Sequence, residues 1–322
     1  MAENLYLYAV ARIRSREQAL LSASFLQQLI SAPDYEACLN MLREKGWGEK
    51  ESDDPDRMFA AEREKTWDLM RELLGDVSVF DVFLYGNDFH NLKVAIKECR
   101  SRKRIPDLYM DQGCVPVEVI RKAADTGEFD VLPERMQGPA AEARRVFLQT
   151  GNGQLCDLIL DKAALEAVYG AGKQSGNEFL ALYGELTAAC ADIKIAVRGA
   201  AAGKDRDFLM KALAACDSVR TDELADAAAE GREAVAEYLE RTDYHEGADA
   251  LRQSLSAFER WCDDLIMKKI RPQLYNAFGL GPLAAYILAR ENEIKSVRMI
   301  LAGKRSGLQE ETVRERIRET YV

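Results

Sequence analysis

Three heptapeptides constrain this chain more than any other feature: NLKVAIK at Asn91–Lys97, DIKIAVR at Asp192–Arg198 and EIKSVRM at Glu293–Met299. Lys93, Lys194 and Lys295 stand 101 residues apart at each step. A fixed period of this kind marks copies of one structural unit, because a single unit cannot bury its apolar face alone. Each copy carries a helical stripe. Leu92, Ala95, Ile96 and Cys99 fall at i, i+3, i+4 and i+7, and Ile193, Ala196, Val197 and Ala200 repeat the pattern. Ile294, Val297 and Leu301 keep it in the third copy, where Arg298 takes the i+4 place.

The same periodicity predicts helices over Phe25–Ile30, Tyr35–Arg43, Arg57–Leu74, Gln154–Tyr169, Asp222–Tyr238 and Leu251–Ile270. No run alternates like a strand, so the expected class is all-α. Gly46-Trp47-Gly48 closes one helix, Asp125–Gly138 reads as a loop, and Pro282 suits the first turn of a helix after Gly279-Leu280-Gly281. The expected organisation is three helical repeats of about 100 residues: 1–105, 106–205 and 206–322. The N-terminus, with its helix, turn and helix, resembles a headless fourth copy, so the C-terminal helices are expected to pack near it.

A net charge of −10 argues against nucleic acid and against simple adhesion to anionic lipid, both of which need clustered cations. The longest nearly apolar run, Leu280–Ala289, is far below the roughly 20 residues of a membrane helix, and Arg290 and Glu291 close it. The N-terminus has no basic leader before an apolar core, so no secretory signal is read there. The seven cysteines never form C-x-x-C and read as reduced thiols in a cytoplasmic protein.

Chemistry has no visible address. Gly279, Gly281 and Ala284 fit G-x-G-x-x-A, but a charged helical segment precedes them where the dinucleotide motif needs a strand. Gly303-Lys304, Gly203-Lys204 and Gly172-Lys173 lack both the earlier glycine and the following Ser or Thr of a phosphate loop. The two histidines, His90 and His245, sit in no metal-ligand spacing, and His90 reads as a capping or packing residue. The acidic pairs Asp53-Asp54 and Asp263-Asp264 read as solvated surface, and Glu291 and Lys295 as an i,i+4 pair. No catalytic, cofactor or metal residue is assigned. One cluster stands out: Lys97, Arg100, Arg102, Lys103 and Arg104 form a solvated helix end or a docking patch for an acidic partner. On these residues alone, a helical-repeat scaffold and a helical enzyme both stay open.

The segment from Phe278 to Val322 resembles the C-terminus of the C subunits of V/A-type rotary ATPases, counterparts of the d-type subunits of eukaryotic vacuolar enzymes. The residues carrying the likeness are Gly279 and Gly281, Tyr286, Glu291, Glu293-Ile294-Lys295, Arg298, Gly303-Lys304 and Tyr321-Val322. The opening from Tyr6 to Gly48 and the stretch DFHNLKVAIK match as well, and Asp107 to Gly176 is the least distinctive part. The resemblance implies a non-catalytic part: a funnel of helices in three similar subdomains about a pseudo-threefold axis. It implies a seat on the cytoplasmic face of the membrane rotor ring, where the chain receives the central-stalk rotor subunits and passes torque between ATP turnover and proton or sodium movement. It implies one copy per complex, no cofactor and no membrane span of its own.

Overall fold

The computed structural model describes residues 6–48, 54–101 and 108–322. Among them every regular element is a helix and no strand occurs, as the periodicity requires. Two compact units form, Met1–Val77 with Gln253–Val322, and Ser78–Arg252.

The chain begins with α1 (Leu7–Glu17), α2 (Ala23–Ser31), α3 (Tyr35–Glu44) and α4 (Pro55–Leu74). The starts of α2, α3 and α4 follow from side chains that accept otherwise unpaired N–H groups. Ser22 accepts from Phe25 before α2, Asp34 from Ala37 before α3, and Asp54 from Asp56 before α4. Each such cap contributes about 1 kcal/mol. Asp54 is thus a cap rather than solvated surface, while its neighbour Asp53 lies outside the described residues.

The second unit opens with a 3-10 turn at Ser78–Phe83 and α5 (Tyr85–Ser101), which carries the first heptapeptide. Then come α6 (Val117–Thr126), α7 (Glu134–Thr150), α8 (Gly153–Gln174) and α9 (Glu178–Ala201), the last holding the second heptapeptide. α10 (Arg206–Ala212), α11 (Thr221–Glu230) and α12 (Arg232–Leu239) complete it. α13 (Gly247–Gln253) leads back, and α14 (Leu255–Ile270), a 3-10 turn at Arg271–Tyr275, α15 (Gly281–Arg305) and α16 (Glu310–Arg314) belong with the N-terminal helices. α15 carries the third heptapeptide, with Pro282 in its first turn.

Three boundaries differ from the sequence reading. The stretch Asp125–Gly138 is not all loop, because α7 starts at Glu134 behind Pro133, whose φ of −55° already suits a helix entry. The single helix expected over Asp222–Tyr238 breaks at Gly231, whose φ of 132° no helix accommodates. The helix expected from Leu251 to Ile270 breaks at Ser254, which caps α14 by accepting from the Ala257 N–H at 3.0 Å.

The first unit's core mixes both ends of the chain: Leu21, Leu29, Leu39 and Phe59 pack with Ile294, Val297, Ile300 and Val313. The second unit's core gathers Leu92, Ile96, Ile120, Met136, Cys156 and Leu160. The heptapeptide stripes are buried in all three copies except at Cys99 and Ala200, which are half-buried like Lys93 and Lys194, and Lys295 is exposed. The aberrant Arg298 lays its guanidinium over the Phe59 ring at 4.8 Å, so the third stripe contacts α4 through a cation–π interaction. α8 and α9 approach closely where both present glycine. A Cβ at Gly172 would stand 2.5 Å from the Leu180 carbonyl oxygen, and one at Gly184 would stand 2.9 Å from that of Val168.

Candidate functional site

The basic cluster is the one surface singled out from sequence. Its described members are used within the second unit. Lys97 on α5 pairs with Asp157 on α8 at 2.5 Å. Arg100 donates to the Phe147 carbonyl at 3.3 Å and lies over the Phe147 ring, so its cation sits where the α7 C-terminus exposes carbonyl charge. Arg102, Lys103 and Arg104 lie outside the described residues.

The first residue of each heptapeptide, to which the periodicity assigns no role, is buried: Asn91, Asp192 and Glu293. Each turns an oxygen onto the backbone N–H of a remote corner. Asn91 accepts from Met110 at 2.8 Å, Asp192 from Ala214 at 2.9 Å, and Glu293 from Leu21. Three residues before Asn91, the buried Asp88 accepts from the N–H groups of Cys114 and Val115 and from Arg135. Burial pushes its carboxyl upward against those bonds. A signal was available, since one polar position repeats at the same spacing beside buried neighbours.

Glu293 belongs to a larger buried set. Arg290 spans Glu293 and Glu62 at 2.5 Å each and lies over the Trp47 ring at 5.2 Å. Glu62 also accepts from the Gly48 N–H at 2.8 Å and from Lys65 at 2.6 Å. An arginine fork bridging two carboxylates orders α4, α15 and the turn after α3 together. The sequence marked it only as the charge that ends an apolar run.

Two expected surface pairs are used differently. Glu291 and Lys295 do not meet: Glu291 accepts from Arg63 at 3.0 Å, and Lys295 reaches Asp263 at 3.4 Å, because partners on neighbouring helices are closer to hand. Asp263 and Asp264 are not merely solvated. Asp263 takes Arg318 at 2.9 Å and Asp264 accepts from the Glu319 N–H at 2.7 Å, which together hold the C-terminal segment on α14. Lys304 donates to the Ala32 carbonyl at 2.6 Å, and Gly303 makes room for Val313, so this Gly-Lys step is a packing feature.

His90 donates to the Leu108 carbonyl at 2.8 Å, a packing role. No group of His, Cys, Asp or Glu among the described residues could hold a metal ion. All seven cysteines are free. Among the described residues no helix is long and apolar enough to cross a membrane. What the surface does offer is aromatic. Tyr275, at 89% exposure, and Phe278, at 58%, project from the loop before α15. Arg14 on α1 holds that loop by donating to the Gln273 and Asn276 carbonyls at 2.6 and 2.5 Å. Exposed rings on a fixed loop present large contact area to a partner.

Known proteins resemble this chain over nearly its whole length. The family model for the ATP synthase (C/AC39) subunit matches residues 9–316. The C subunit of the V-type sodium ATPase of Enterococcus hirae is 26% identical over 324 residues, covering 96% of this chain and 97% of that protein. The C subunit of the A-type ATP synthase of Methanocaldococcus jannaschii is 27% identical, covering 96% of this chain and 85% of its own length. The C subunit of the V-type ATP synthase of Thermus thermophilus is 26% identical, covering 97% and 98%.

Proposed function

Because the chain belongs to the ATP synthase (C/AC39) subunit family, we propose that it is the non-catalytic central-stalk component of a V/A-type rotary ATPase. In this role it couples the rotor shaft to the membrane ion-translocating ring, linking ATP hydrolysis or synthesis to proton or sodium transport. It works on the cytoplasmic face, one copy per complex, with the stalk subunits and the ring as its partners. The observation that carries this reading is the extent of the match, from residue 9 to residue 316, with relatives named as C subunits aligned over nearly their whole length.

The physical features support it. A torque coupler needs a stiff body, and close helix contacts at Gly172 and Gly184 and the buried Arg290 set supply stiffness. It also needs broad interfaces, on the order of 2,000 Å² or more in permanent complexes. The body is read as three helical repeats, 1–105, 106–205 and 206–322, about a pseudo-threefold axis. The shared task of Asn91, Asp192 and Glu293 supports that reading. The basic cluster Lys97, Arg100, Arg102, Lys103 and Arg104 is the proposed docking patch.

The test is assembly of the ATPase with and without this chain in sealed vesicles. ATP-driven ion transport should collapse in its absence while the headpiece still hydrolyses ATP. Undiminished transport would end the proposal. Charge reversal across Lys97, Arg100, Arg102, Lys103 and Arg104 should weaken co-purification with the ring and stalk, and unchanged assembly would remove the patch from the reading.

A further inference from the structure

The three heptapeptide heads do one job with three different groups, and the difference isolates Asp192. At Asn91 both polar atoms are engaged: Oδ1 accepts from the Met110 N–H at 2.8 Å and Nδ2 donates to the Met110 carbonyl at 3.0 Å. At Glu293 the second oxygen lies on Arg290 at 2.5 Å. At Asp192 one oxygen accepts from the Ala214 N–H, and Oδ2 is buried with no hydrogen-bond partner among the described residues. An ionised carboxylate with a bare oxygen in an apolar interior is costly, and the neutral acid is far less so.

The surroundings do not compensate the anion. Lys162 on α8 is the cation whose field reaches Asp192, but its ammonium turns to the Met210 carbonyl at 3.4 Å. Glu166 on the same helix opposes it, and the Cys216 thiol faces the carboxyl from the loop after Ala214. Glu185 on α9 is committed to Ser218, and Tyr238 on α12 to the Arg220 N–H. Leu209 on α10 and Leu224 on α11 are fully buried and carry no charge.

We propose that Asp192 is a proton-operated lock: as a neutral acid it holds the Ala214 corner, between α10 and α11, against α9, and ionisation loosens that corner. Burial pushes the carboxyl up to about 7, against the Ala214 hydrogen bond and Lys162, so the lock titrates in the neutral range. The folded chain binds this proton more tightly than the unfolded one. The stabilisation is therefore whole below about pH 4 and is lost as pH rises through about 7, approaching tenfold in the folding equilibrium per pH unit. The lock is a property of the chain itself and stands apart from the proposed role in the ATPase.

Asp192→Asn keeps the size and the acceptor oxygen and cannot ionise. The experiment measures amide hydrogen exchange at Ala214 and its neighbours in the full chain between about pH 6 and 8.5, corrected for the intrinsic base-catalysed rate. In parallel, the Asp192 carboxyl carbon is titrated by NMR. Protection at the corner should fall by about tenfold or more in the wild type and stay level in Asp192→Asn, and the carboxyl should titrate near pH 7. Parallel protection in the two proteins overturns the lock. A carboxyl that titrates below about pH 5 overturns it as well. If Asp192→Asn does not fold, the wild-type titration alone decides.

Discussion

Glu293 accepts a hydrogen bond from the backbone N–H of Leu21, which lies 272 residues earlier in the chain. This bond fastens the corner between α1 and α2 onto the helix of the third heptapeptide. The same position, as Asn91 and Asp192, fastens corners only 19 and 22 residues downstream. The N-terminal segment thus occupies, for the last heptapeptide, the place that the following segment occupies for the other two.

Arg290→Met should destabilise the first unit by about 3–5 kcal/mol, since it leaves Glu62 and Glu293 buried and facing each other without their shared cation. Adding Glu293→Gln should restore part of the loss. Trp47, Trp67 and Trp261 all belong to this unit, so tryptophan fluorescence during urea unfolding reads it directly. A midpoint unchanged in Arg290→Met would show that the set is not structural.

Along each heptapeptide the second residue should matter and the third should not. Ile193→Ala and Ile294→Ala each remove a fully buried side chain and should cost about 2–5 kcal/mol. Lys194→Ala and Lys295→Ala should cost at most about 1 kcal/mol, because charges that reach water contribute little. Thermal melts followed by circular dichroism check the contrast.

Glycines on one helix should respond oppositely. Gly172→Ala drives a methyl against the Leu180 carbonyl and should cost about 1–3 kcal/mol or more. Gly170, two residues earlier on α8, has nothing within 4 Å of its Cβ position, and Gly170→Ala should stabilise by about 0.5–1 kcal/mol. Hydrogen exchange along α8 and α9 measures both.

The C-terminal segment should be released by base. Burial pushes Asp264 up to about 6 although the Glu319 N–H bonded to it pulls the other way. The folded state therefore holds the proton more tightly, and this contribution to stability falls as pH rises from about 4 to about 6. Asp264→Asn should flatten that segment of the stability profile, and Asp264→Ala should expose residues 316–322 to proteolysis at every pH. A wild-type profile matching that of Asp264→Asn from pH 4 to 6 would count against this assignment.

Helicity and the buried stripes were legible because a 3.6-residue period is a local property: Leu92, Ile193 and Ile294 declare their face through neighbours one turn away. The breaks at Gly231 and Ser254 were less legible, since a single glycine or serine is tolerated within a helical pattern until packing asks the chain to turn. The i,i+4 pairing of Glu291 with Lys295 was legible and does not occur, because Arg63 and Asp263 on packed helices compete for the same charges.

By itself, then, the amino-acid order determined an all-helical chain with one heptapeptide at a constant spacing and an apolar stripe in each copy. Only the tertiary structure decided what the polar heads of those heptapeptides do. A buried Asn91, Asp192 or Glu293 is tolerable only where an N–H arrives to meet it. The arrivals come from Met110, Ala214 and Leu21, corners that no local period connects to their partners. The same holds for Arg290: its place at the end of an apolar run was visible, but the carboxylate of Glu62 was brought to it by the packing of α4 on α15.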